Sequence, residues 1–162
     1  MTKQLTKQLI KQLTLGLAML ALVLLLTGIP RQAVLAEDLN IMVYRDPGCS
    51  CCGGWIDHLA EQGFDPGNIS TSDMAAVKQQ YQVPEALASC HTAVINGYVI
   101  EGHVPVDDIK RLLNEKPSVL GIAVPGMPIG TPGMESNGQR EPFTVYSFDD
   151  QGKQEVFNQY SF

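Results

Sequence analysis

The sequence contains no P-loop, no GxGxxG after a strand-like run, no HExxH and no GxSxG. Phosphate-cradling, dinucleotide-binding, zinc-protease and serine-hydrolase chemistries therefore lack their usual residues. Positive charge is also scarce, with 11 Lys and Arg against 17 Asp and Glu and a formal net charge of −6. Four of those basic residues (Lys3, Lys7, Lys11 and Arg31) precede Glu37, the first acidic residue, so the chain from Glu37 onward carries 7 basic against 17 acidic residues. Such a surface repels nucleic acid and suits a soluble extracytoplasmic protein. There is no internal repeat, and low complexity is confined to a leucine-rich N-terminal segment. Cysteine is rare. Cys49, Cys51, Cys52 and Cys90 are the whole complement, and three of them crowd into Cys49-Ser50-Cys51-Cys52.

The N-terminal segment sets the expected compartment. Lys3, Lys7 and Lys11 precede an apolar run from Leu13 to Leu26, about as long as a secretory hydrophobic region and short for a membrane span. Val34-Leu35-Ala36 offers small residues where a signal peptidase reads, which predicts cleavage after Ala36. The competing reading is an uncleaved signal anchor, since Leu13 to Ile29 spans a thin bilayer with tilt; only then is the membrane a partner. No cysteine lies near the cleavage site, so a lipid-anchored N-terminus is not expected. The expected organisation is a signal peptide over 1–36 and a single domain over 37–162, long enough for a real core, exported to the periplasm.

Thiolates are the soft ligands that select Cu(I), zinc or iron–sulfur clusters, and they are also the nucleophiles of disulfide exchange. Exported proteins often pair even numbers of cysteines as structural staples. A domain of this length does not need them. Cys49 and Cys52 have redox-motif spacing, adjacent Cys51 and Cys52 pair poorly with each other, and either can meet Cys90 through folding.

Alternation over Leu39–Tyr44 predicts a strand, broken by Asp46-Pro47-Gly48. Trp55, Ile56, Leu59 and Ala60 recur at helical spacing from about Cys52 to Gln62, and Gly63 ends the segment. A short strand over Asn68–Thr71 follows. Then comes a helix capped by Ser72 or Asp73, with Met74, Val77 and Tyr81 on one face. Asn96-Gly97 between Thr92–Ile95 and Tyr98–Glu101 is a strong hairpin signal of type I′. Pro105 opens a helix whose inner face is Val106, Ile109, Leu112 and Leu113. The order β-α-β-α-β-β-α is α/β with a mixed sheet, an order that a thioredoxin-like fold has. Beyond Pro117, Val124–Met134 reads as a definite irregular loop rich in Pro, Gly and Met. Phe143–Phe148 and Glu155–Tyr160 then form a C-terminal β-hairpin that extends the sheet or covers its edge.

These elements predict a site. Cys49 falls at the end of the first strand and Cys52 in the first helical turn, where the helix N-terminus stabilises thiolate. Counting outward from Asn96-Gly97 pairs Thr92 with Glu101, His91 with Gly102 and Cys90 with His103, directly opposed residues having Cβ atoms about 4.5–5.5 Å apart. Trp55 is expected to pack beneath the site and limit water. Cys49, Cys51, Cys52 and Cys90 are the candidate metal ligands, and His91 and His103 ligate or orient a ligand. Met127 and Met134 are thioether candidates in a rigid loop. Met42 and Met74 read as core, and His58 as a solvated surface residue. Cys90 beside His91 does not make a nucleophile–base pair, because no orienting third group stands out.

Four motifs carry a resemblance to a known family: Cys49-Ser50-Cys51-Cys52, Ser89-Cys90-His91-Thr92-Ala93, Glu101-Gly102-His103-Val104-Pro105, and Gly126-Met127-Pro128-Ile129-Gly130-Thr131-Pro132-Gly133-Met134-Glu135. Together they resemble the CopG-like exported metal-binding family, catalogued as domain of unknown function 411, over nearly the whole chain after the leader. The resemblance implies a thioredoxin-like fold, an extracytoplasmic location, copper-resistance contexts and Cu(I) held by the cysteines. The resemblance also implies the copper redox role proposed for members, and a stronger version of the expected function cycles Cu(I) and Cu(II). The expected function is an exported copper-binding protein for copper resistance or homeostasis, with copper ions and another exported copper carrier or transporter as partners. Binding is better supported than turnover as an enzyme. Two alternatives stand: a thiol–disulfide oxidoreductase using Cys49 and Cys52, and a structural zinc-binding domain. The leader reading predicts that the exported protein begins at Glu37 by intact-mass measurement; a species beginning at Met1 would establish the uncleaved anchor instead.

Overall fold

The computed structural model describes residues 39–162, so the expected signal peptide lies outside the described residues. The elements in chain order are β1 (Asn40–Arg45), α1 (Ser50–Glu61), β2 (Asp65–Ser70), α2 (Met74–Gln80), a single 3₁₀ turn (Glu85–Leu87), β3 (His91–Ile95), β4 (Tyr98–Glu101), α3 (Val106–Glu115), β5 (Gly121–Ala123), β6 (Phe143–Phe148) and β7 (Gln154–Tyr160). The seven strands form one mixed sheet in the order β2-β1-β3-β4-β5-β6-β7. β1 runs parallel to β2 and β4 parallel to β5, while the other neighbours are antiparallel. Among the described residues no helix is long and apolar enough to cross a membrane.

Alternation decides what each strand buries. Ile41 and Val43 of β1, Ala93 and Ile95 of β3, Ile100 and Ile122 join Trp55 and Leu59 of α1 and Ile109, Leu112 and Leu113 of α3 in the main core. Each of the three buried α3 aliphatics contributes about 1.5–3 kcal/mol by leaving water. A smaller cluster gathers Val99, Ala123 and Phe148 with Leu87, and Tyr81 and Val83 pack against it. Asn96 and Gly97 both adopt positive φ (48° and 85°), the type I′ geometry expected of that dipeptide, and the ladder pairs Ile95 with Tyr98 and Thr92 with Glu101. Asp108, almost fully buried on α3, accepts hydrogen bonds from Asn158 (2.9 Å) and the Tyr160 hydroxyl (2.8 Å), tying β7 onto that helix. The C-terminal hairpin thus extends the sheet.

Several expectations are corrected. α1 starts at Ser50 rather than Cys52, because Cys49 caps it. β2 starts at Asp65, three residues earlier than expected. Asp65-Pro66-Gly67 looks like a turn, but β2 is an edge strand. Asp65 N donates to the Leu39 carbonyl just before β1 and Thr71 N to the Arg45 carbonyl at its end, so by alternation the Pro66 nitrogen faces away from its neighbour, where a missing N–H is harmless. β5 was not expected at all. It is three residues long, and its Gly121 lies so close to β4 that a Cβ would stand 2.1 Å from the Val99 carbonyl oxygen. Met42 is 41% exposed rather than core; it stands on the outward side of β1 between buried Ile41 and Val43, over Gly67. Met74 and His58 are half-buried.

The Val124–Met134 loop rests on the start of α1. Gly133 (φ 81°) comes so close that a Cβ would lie 2.6 Å from the Trp55 nitrogen and 2.8 Å from the Cys51 carbonyl oxygen. These are backbone atoms of a helix and cannot yield. Gly133→Ala is therefore expected to cost about 1–3 kcal/mol of stability by overpacking, read by urea denaturation. Unchanged stability would mean that the loop does not need its contact with α1.

Candidate metal centre

The β1–β3 register assembles the site. Arg45, the last residue of β1, pairs with His91, the first of β3. The chain leaving β1 toward Cys49 and the chain entering β3 through Cys90 therefore meet at one end of the sheet. Between Arg45 and α1 a tight turn forms: Asp46 accepts hydrogen bonds from Gly48 N at its carboxylate (2.7 Å) and from Cys49 N at its carbonyl (3.1 Å). Cys49 then caps α1, its Sγ accepting from Cys52 N at 3.3 Å.

Cys49 and Cys52 are joined as a disulfide, with Cα atoms 5.5 Å apart, while Cys51 and Cys90 are free and half-buried. Cys51 Sγ lies 3.5 Å from Cys49 Sγ. Buried Cys52 Sγ lies 4.0 Å from the Cys90 carbonyl oxygen. The sulfurs of all four cysteines stand within 4.8 Å of one another, and Cys90 forms a second such group with His91 and His103. The expected meeting of Cys90 and His103 is present as a side-chain contact, Sγ to Nε2 at 3.1 Å. It is reached without a further rung of the ladder: β4 ends at Glu101, and Gly102 (φ 72°) turns the chain.

The two histidines are fully buried. His103 Nδ1 donates to the Pro132 carbonyl oxygen at 2.7 Å, which leaves the Nε2 lone pair facing Cys90. This is the arrangement that orients a metal-ligating imidazole. His91 Nδ1 stands 3.2 Å from the same sulfur. One S–H serves only one acceptor, so the network assigns the Cys90 proton to His103 and a proton to His91 Nδ1. His91 Nε2 is then a buried nitrogen with no hydrogen-bond partner, the kind of unsatisfied group that calls for an explanation. Trp55, fully buried, lies over His91 with ring centroids 4.3 Å apart and donates its indole N–H to the Val104 carbonyl (3.0 Å). The expectation that it packs beneath the site holds.

Burial keeps this group neutral. Desolvation, and then the charge of Cys51, push the Cys90 thiol up to about 12. Burial, followed by neighbouring His103 and Lys78, holds His91 well below the usual imidazole range. Burial also lowers His103, against the opposing pull of the Pro132 carbonyl and Glu135. Neutral imidazole is the form that ligates metal.

Met127 is 52% exposed; it follows Gly126, whose carbonyl accepts a hydrogen bond from the Ser89 hydroxyl next to Cys90. Met134 is half-buried and follows Gly133 on α1. Both methionines thus sit on a loop whose backbone borders the cysteines. Sequence reasoning missed the Pro132 carbonyl, since a backbone acceptor leaves no side-chain signature. It also missed Glu101 and Lys78. The signal available was a carboxylate closing the otherwise apolar run Tyr98–Glu101.

Fold and site together define a mixed α/β protein carrying a compact thiol–imidazole cluster suited to a soft metal. The family described as "Protein of unknown function, DUF411" matches residues 87–134. Two solved structures named Copper resistance protein copG are 43% identical to the chain. Form 1 covers 78% of this chain and 100% of its own, with a TM-score of 0.74; Form 2 covers 75% and 98%, with a TM-score of 0.72. No curated protein matches. The chain belongs to the CopG-like copper-resistance family, DUF411.

The pairing and burial predict a labelling pattern. Without reductant, alkylation should mark Cys51 and Cys90 alone. A raised pKa leaves little thiolate at neutral pH, so Cys90 should label slowly there and accelerate only above the ordinary thiol range. Fast Cys90 labelling at neutral pH, mapped by peptide mass, would contradict its desolvated setting.

Proposed function

We propose that the protein is an exported copper-handling protein that holds Cu(I) as cargo in the cluster of Cys49, Cys51, Cys52 and Cys90 when Cys49 and Cys52 are reduced. The observation that carries this reading is the convergence of four sulfurs, with Cys90 shared by two buried imidazoles. The donor set fits a soft monovalent ion: thiolates select Cu(I), and imidazole accepts copper. His103, oriented by the Pro132 carbonyl, and His91, with its unsatisfied ring, supply nitrogen ligands or steer the sulfur between them. Met127 and Met134 add thioethers from the loop above α1. The copper-resistance relatives support copper over zinc, and native mass spectrometry showing tightly held zinc with little exchange would reverse that preference.

Export rests on the leader. A thioredoxin-like domain is supported by the β1-α1-β2 and β3-β4-α3 segments with the cysteines at the N-terminus of α1. Handing copper to an exported carrier or transporter, and cycling Cu(I) and Cu(II), extend binding to traffic and turnover. The disulfide favours a second reading, thiol–disulfide exchange by Cys49 and Cys52, which leaves Cys90, His91 and His103 without a task.

Reduced protein prepared without air should take up Cu(I) against a moderate chromophoric chelator, and Cys90→Ser should weaken that uptake. An absence of Cu(I) uptake by the reduced wild type would end the binding reading. Insulin reduction that disappears in Cys52→Ser, in protein that takes up no copper, would establish the exchange reading.

A further inference from the structure

Glu101 carries a fully buried carboxylate. It receives three donors: Lys78 Nζ at 2.5 Å and Ser89 N at 2.6 Å on Oε1, and the Thr92 hydroxyl at 2.7 Å on Oε2. Lys78 Nζ also donates to the Thr92 hydroxyl at 3.2 Å. By strand alternation Thr92 and His91 point to opposite faces of the sheet, so this charged knot lies behind the metal centre. Burial pushes the carboxyl up, and Lys78 is the largest opposing influence.

A buried ion pair is weak grounds for stability, because apolar residues of similar volume often replace one at no loss. What an apolar pair cannot supply is an acceptor for Ser89 N. Ser89 precedes β3, and the backbone bonding between the two strands closes with Gly102 N donating to the His91 carbonyl. Ser89 N therefore takes the Glu101 carboxylate in place of a strand partner. The Ser89 hydroxyl donates in turn to the Gly126 carbonyl and lies 3.9 Å from Cys90 Sγ. The Glu101 carbonyl accepts from Val124 N at 3.0 Å, at the head of the loop that supplies Pro132 to His103. Gly102 permits this closure, since a Cβ there would stand 2.5 Å from both Ser89 Oγ and the Val124 carbonyl oxygen.

We propose that Glu101 is a positioning residue for the metal centre: paired with Lys78, it fixes the Ser89–Cys90 backbone from behind, so that Cys90 faces the other sulfurs and both histidines. Its consequence for copper rests on the Cu(I)-binding reading above.

Two double variants separate positioning from stability. Lys78→Met with Glu101→Leu removes the charges and the acceptor, whereas Lys78→Met with Glu101→Gln removes the charges and keeps an oxygen for Ser89 N. The Leu pair leaves Ser89 N without its acceptor, at a cost in stability, so the two are compared at a temperature where each is fully folded. The Leu pair should show faster amide exchange at Ser89 and, once reduced, bind Cu(I) about 10- to 100-fold more weakly, the loss typical when a ligand's supporting partner is removed. The Gln pair should restore both. Equal Cu(I) affinity and equal Ser89 exchange in the two would overturn the proposal. Should the Leu pair fail to fold, Glu101→Asp keeps the charge and shortens the reach, and wild-type exchange with wild-type affinity in that variant would overturn it equally. If the wild type binds no Cu(I), the copper reading falls while Ser89 exchange still decides whether Glu101 holds the Cys90 segment.

Discussion

One register decides this molecule: the antiparallel pairing of β1 with β3 that sets Arg45 opposite His91. Because the strands run in opposite directions, the chain leaving one and the chain entering the other emerge at the same end of the sheet. Cys49, Cys51 and Cys52 follow the first, and Cys90 immediately precedes the second. A slip by one residue would turn Ile41, Val43, Ala93 and Ile95 out of the core. Hydrophobic burial thus locks the pairing that gathers the sulfurs, and the site inherits its precision from the core.

Around that pairing the chain closes by near-contact of backbones. Gly133 on α1, Gly102 against Ser89 and Val124, and Gly121 against Val99 each occupy positions where a side chain would collide. These approaches bring the Pro132 carbonyl to His103 and the Gly126 carbonyl to Ser89. Cys90, His91 and His103 form the desolvated part of the centre. Its thiol and imidazoles are held in their uncharged forms by burial, and its one buried carboxylate is turned to the opposite side and matched by Lys78.

Much of this was legible from residues. Asn96-Gly97 fixes a two-residue turn, so counting outward along the two strands brings Cys90 toward His103. The period of Val106, Ile109, Leu112 and Leu113 marks α3 and its buried side. Local signals failed where tertiary context overrode them. Pro66 hides in β2 because only an edge strand tolerates it. Gly121-Ile122-Ala123 is too short to announce a strand and exists because β4 and β6 flank it. Met42 sits among core residues in sequence, but alternation sends it outward.

By itself the sequence determined the donor types and their local spacing: three cysteines at the start of a helix, and a fourth beside a histidine at the mouth of a hairpin. Turn chemistry and hydrophobic period act over a few residues, and a few residues suffice to read them. The tertiary structure alone decided that the fourth sulfur meets the first three, which two cysteines are joined, that a proline carbonyl orients His103, and that Glu101 reaches back to Ser89. Those contacts link residues from 3 to 41 positions apart. The longer of them exist only because packing the two faces of one sheet brings distant segments to the same end.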